Sequence, residues 1–127
     1  MRAIVEYDAG AHPPLLRLFI HGAPHRRQHD AVLLAYRREL VAAARATGLT
    51  VPIRHPVDLR VLFIDPCSPD LDNLITALYR AVDGKALSGP ALLADDGLIQ
   101  DVRMGKFYPE DCQRAPLPRA HHLRLVA

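Results

Sequence analysis

Residues Val57 to Gly84 read VDLRVLFIDPCSPDLDNLITALYRAVDG, and this stretch decides the fold. Val57, Leu59, Val61 and Phe63 alternate with Asp58, Arg60, Leu62 and Ile64, the two-residue period of a strand with one face more buried than the other. The strand ends at Asp65-Pro66, and a turn passes through Ser68 and Pro69. From about Asp70 the apolar residues Leu71, Leu74, Leu78 and Val82 take over the spacing of an amphipathic helix, which Gly84 stops. A strand, a turn and a helix in direct succession predict an α/β or α+β fold.

The flanking sequence extends this pattern. Met1 to Tyr7 reads as an edge strand and Leu15 to Ile20 as a buried one. The loop from Gly22 to His29 leads to Asp30, placed to cap a helix that carries Leu33, Tyr36 or Arg37, Leu40 and Ala44, with Arg37, Arg38 and Arg45 at more polar positions, and stops at Gly48. Pro52 and Pro56 bracket a connector, Lys85 to Pro90 is a polar loop, and Leu98 to Tyr108 alternates as a further strand. Pro109 to Pro118 is irregular, and Leu123 to Val126 suits a closing strand. The expectation is a single domain over residues 1–127, with a small mixed sheet of about four strands and two main helices.

Composition narrows the function. Half the 127 residues are hydrophobic and 24% are charged, a globular balance. No run approaches the roughly 20 apolar residues of a membrane helix, and the amino terminus lacks a signal-peptide pattern, so a cytoplasmic protein is expected. Cys67 and Cys112 are far apart without metal-ligand spacing and are read as free thiols. The net charge is +2, and 14 of the 16 basic residues are arginine, Lys85 and Lys106 being the only lysines. Arginine forks suit phosphate, but with so small a net charge any nucleic-acid surface must be segregated from the acids. There is no glycine-rich phosphate loop and no nucleophile elbow.

The acids are arranged in two pairs. Asp70 and Asp72 stand where the turn meets the helix, and Asp95 and Asp96 stand just ahead of the later strand. Acids cap helices and build turns whatever the function, so spacing alone leaves both readings open. Hydrolysis of a phosphodiester wants such a cluster, because carboxylate oxygens hold Mg²⁺ while leaving it waters to offer.

The series Asp70-Leu71-Asp72-Asn73-Leu74, the amphipathic helix, Asp95-Asp96 and the strand Leu98-Ile99-Gln100-Asp101-Val102-Arg103 ending near Lys106 resembles the RusA family of crossover junction endodeoxyribonucleases. The likeness spans roughly Val57 to Tyr108; the first fifty residues match only as a strand, a loop and a helix. It implies a structure-selective nuclease that resolves Holliday junctions in DNA recombination and repair. Asp70, Asp72 and Asp96 would be its catalytic, Mg²⁺- or Mn²⁺-binding acids. It also implies a homodimer, since a four-way junction offers two symmetry-related strands to two matching sites. The chain departs from the pattern at Thr76, where the family often carries a lysine; Lys106 or Arg103 would then supply the positive charge. That departure motivates an alternative, a junction-binding protein with weak or no cleavage. A third reading is a phosphotransfer enzyme that uses Asp70 and Asp72 to carry a nucleotide's magnesium.

Other residues carry weaker expectations. Arg26, Arg27, Arg37 and Arg38 are candidates for a DNA-binding surface, or equally a solvated helix face. Asn73 is expected to brace the helix start. His21, His25 and His29 recur four apart, but Gly22 and Pro24 break the helix that a metal face would need. Tyr36, Phe63, Tyr79 and Phe107 are expected in the core. Asp65 and Asp101 are read as turn and exposed-strand acids or as outer-shell acids.

Overall fold

The computed structural model describes residues 1–109. The alternation at residues 57–64 becomes an inner strand of a four-stranded mixed sheet ordered β1-β2-β3-β4, in chain order: β1 (Arg2–Asp8), β2 (Leu15–His21), β3 (Val57–Ile64) and β4 (Ile99–Phe107). A short turn joins β1 to β2, which pair antiparallel. Helix α1 (Asp30–Ala46) separates β2 from β3, and α2 (Leu71–Val82) separates β3 from β4; both of these pairs are parallel, as crossovers through a helix require. The two crossovers step the same way across the sheet, so right-handed connections bring both helices to one face. The core lies there: Val5, Leu16, Leu18, Ile20, Leu59, Val61 and Phe63 from the strands meet Leu33, Tyr36, Leu40, Leu74 and Leu78 from the helices. Each such side chain contributes about 1.5–3 kcal/mol by leaving water. No helix among the described residues is long and apolar enough to cross a membrane.

Several expectations change in detail. His29, not Asp30, is the N-cap of α1, without a side-chain cap bond; Asp30 is the first helical residue and pairs with Arg80 at 2.9 Å. The larger correction concerns Arg37. It is 1% exposed, so it is no part of a DNA-binding surface. Its Nε donates to Ala81 O at 2.9 Å, and its terminal nitrogens donate to the carbonyls of Asp83, Leu87, Ser88 and Gly89. A helix leaves its last carbonyls without partners, and this guanidinium serves α2 and the loop behind it. Burial pulls its pKa below the ordinary arginine value, against the charge of Asp83. Of the four aromatic residues, Tyr36 and Phe63 are buried and Tyr79 packs against the core, but Phe107 is outside it. Lys106 aligns with the core residue Phe63, so Phe107, its neighbour in an alternating strand, faces the other way. The closing strand expected at Leu123 to Val126, and Cys112, lie outside the described residues.

Candidate functional site

Helix α2 has acids at both ends, each held by different local chemistry. At its start Asp70 is the N-cap: its Oδ1 accepts from Asp72 N at 3.0 Å, while Asp70 N donates to Ser68 Oγ at 3.2 Å. The carboxylates of Asp70 and Asp72 are therefore set at a helix N-terminus, where the backbone dipole favours negative charge. Both residues are exposed. Lys106 enters from the C-terminal end of β4, and its Nζ donates to Pro69 O; Tyr108 OH donates to Ser68 O at 3.4 Å. The Lys106 ammonium is thus held at the backbone of Pro69, beside the turn that carries Asp70 and Asp72, at the carboxyl ends of β3 and β4. Thr76 is exposed, and its Oγ1 donates to Asp72 O at 2.8 Å.

The other end of α2 is built by a close approach of backbone. Gly84 N donates to Leu93 O at 2.8 Å and Leu93 N to Val82 O at 3.0 Å. A Cβ at Gly84 would lie 2.9 Å from the carbonyl oxygens of Leu93 and Ala94, so glycine is needed as more than a helix stop. This contact carries Asp83 to Asp95 and Asp96, and one carboxylate oxygen from each lies within 4.8 Å of the others. Among the described residues this is the group of three that converges closely enough to hold a metal ion. Asp95 accepts from Gly97 N at 3.0 Å and from Lys85 Nζ at 2.8 Å, and the lysine holds its pKa below the usual carboxylate range. Asp96 responds in the opposite sense: burial first, then the charges of Asp83 and Asp95, raise its pKa.

The expected residues therefore fall into separate places. Asp70, Asp72 and Lys106 come together at the start of α2, whereas Asp96 joins Asp83 and Asp95 at its end. Eleven residues separate Asp72 from Asp83, about 16 Å at 1.5 Å per residue, too far for one ion in one chain. Asp83 was missed because a lone acid beside a glycine reads as a helix end; only the strand-like bridge between residues 83 and 93 brings it to Asp95 and Asp96. Arg103 lies three residues before Lys106, so in an alternating strand it faces the other side of the sheet, and it is 3.5 Å from Asp101. Arg26 and Arg27 are exposed in the loop before α1, and Arg38 is exposed on that helix. Asn73 Oδ1 is shielded from solvent with no hydrogen-bond partner, so it does not brace the helix start.

No family model, curated protein or solved structure matches this chain. The chemistry rests on the side chains. Three converging acids, of which Asp96 is raised by burial and then by the charges of Asp83 and Asp95, suit a small hard cation bound through oxygen. The acids at the start of α2 have a lysine at hand instead.

Proposed function

We propose that this chain is a metal-dependent endodeoxyribonuclease of the RusA type, which resolves four-way DNA junctions by phosphodiester hydrolysis as a homodimer. The observation that carries the reading is the meeting of Lys106 with the Asp70–Asp72 turn at the carboxyl ends of β3 and β4. It supplies the cation that Thr76 does not, next to the carboxylates the resemblance marks as catalytic. Asp70, Asp72 and Asp96 are the proposed metal ligands, with Mg²⁺ or Mn²⁺ as the ion. When bound, such an ion lowers the pKa of a water and offsets charge on the attacked phosphate. Lys106, held at Pro69, favours the negative phosphate and its leaving oxygen. Because Asp96 sits with Asp83 at the far end of α2, and Asp83 is about 16 Å along that helix from Asp72, a set that unites all three draws Asp70 and Asp72 from one chain and Asp96 from its partner.

The test is cleavage of a synthetic four-way junction beside a linear duplex of the same sequence, with Mg²⁺, Mn²⁺ or EDTA, for the wild type, Asp72→Asn and Lys106→Ala. Paired, metal-dependent nicks confined to the junction and lost in Asp72→Asn are expected. Lys106→Ala should slow nicking about a hundredfold, the scale of losing one electrostatic stabiliser. The second reading, a junction-binding protein with little cleavage, is favoured by one observation: the Thr76 hydroxyl is engaged by its own helix at Asp72 O. Tight junction binding without nicks in either metal would select it.

A further inference from the structure

The sheet face opposite the helices carries an ordered pattern. By register, Arg17, Arg60 and Arg103 stand side by side on β2, β3 and β4, with Glu6 beyond Arg17 on β1. The adjacent row is Ile4, Phe19, Leu62 and Gly105, and the next is Arg2, His21, Ile64 and Phe107. On the other side of the arginines lie Asp8, Asp58 and Asp101. None of these apolar residues belongs to the core cluster; Leu62 is nonetheless buried at 5% exposure, and Ile4 at the edge is 63% exposed.

Neighbouring like charges on adjacent strands are unfavourable, and an anion lying along three aligned arginines would relieve that repulsion. Arg103 is 3.5 Å from Asp101, but Arg17 and Arg60 make no ion pair within the described residues. Arg17 Nε is shielded from water and has no hydrogen-bond partner, a donor that lacks an acceptor. Beside this row a cavity of about 280 Å³ is lined by Arg2, Ile4, Phe19, His21, Glu39 and Ile64. Rings and aliphatic groups with a flanking cation suit the flat face of a nucleobase.

We propose that this face binds single-stranded DNA, with backbone phosphates along Arg17, Arg60 and Arg103 and a base stacked at Phe19 and His21. The acidic row repels the backbone and confines the strand to the arginine and aromatic rows. The proposal rests on the DNA-binding half of the reading above and not on cleavage.

The chain contains no tryptophan, so Phe19→Trp introduces a single reporter. The full chain would be titrated with a labelled twelve-residue oligothymidylate in EDTA at two salt concentrations, following anisotropy and tryptophan emission. Saturable binding that quenches the emission is expected, with a log–log salt slope near −2 for three phosphate contacts at about 0.7 each. Arg60→Gln should weaken binding and flatten that slope by about 0.7. Phe19→Leu, which keeps an apolar side chain without a ring, should weaken binding about tenfold and leave the slope unchanged. Binding without quenching, or with equal affinity in wild type, Arg60→Gln and Phe19→Leu, overturns the proposal. So does emission that follows protein concentration and ignores DNA, which would assign the face to self-association. Junction cleavage without single-strand binding sinks this inference and leaves the nuclease reading standing; single-strand binding without cleavage does the reverse.

Discussion

Burial and the charges of Asp83 and Asp95 all oppose ionisation of Asp96, so its pKa is raised. A raised carboxyl pKa means that the fold prefers the protonated form. The stability associated with that proton is present in acid, below the ordinary value of about 3.9, and is lost as pH rises through the folded-state pKa. Asp96→Asn removes the charge, so in EDTA at pH 7 it should raise the melting temperature by a few degrees, corresponding to less than about 1 kcal/mol for a site that solvent still screens. The gain should shrink toward pH 3, where Asp96 is protonated. Added Mg²⁺ should stabilise the wild type and not Asp96→Asn; equal shifts in both would remove Asp96 from the ligand set. Thr76 tests the other end of α2. It is exposed one turn after Asp72, and Thr76→Lys trades a back-bonded hydroxyl for a better helix former with a cation. Stability should stay within about 0.5 kcal/mol of wild type, while junction nicking rises several-fold; unchanged nicking would mean that Lys106 already meets the need for charge.

At the scale of elements, α2 depends on a residue from α1. Arg37 gives its donors to Ala81, Asp83, Leu87, Ser88 and Gly89, so it holds both the end of α2 and the loop that leads toward Asp95. Arg37→Met leaves buried carbonyls without partners, at about 1–3 kcal/mol each where water cannot reach them. A loss of about 3 kcal/mol or more is expected in a denaturant titration. Arg37→Lys should recover little of it, because one ammonium cannot reproduce a planar fork. A loss under about 1 kcal/mol would show that water replaces the guanidinium. Sequence could show α1 and the polar loop separately, but not that a basic residue in one belonged inside the other, since an arginine at a helical position ordinarily faces solvent. By contrast, α2 was legible almost to the residue: Asp70 at the cap and Gly84 past the end are local choices that agree with the apolar stripe between them. β2 and β3 were legible for the same reason, whereas Phe107 was misplaced because period two gives two faces without saying which one is buried.

At the scale of the whole molecule, the two parallel crossovers force the acids apart. Because α2 returns from the carboxyl end of β3 to the amino end of β4, Asp70 and Asp72 lie at one end of the sheet and Asp96 at the other. Order along the chain therefore suggested one site, while topology divides it. A homodimer that joins the two halves makes a specific prediction about mixed assemblies. Asp72→Asn and Asp96→Asn chains would be purified separately, each inactive, and then combined through unfolding and refolding. If each site takes Asp72 from one chain and Asp96 from the other, a mixed dimer contains one doubly substituted site and one intact site, and junction nicking returns in a single strand. If each site lies within one chain, both sites in the mixed dimer carry a substitution and no activity returns. Single-strand nicking by the mixture, absent from either parent, would establish the shared site; an inactive mixture that forms mixed dimers would overturn it.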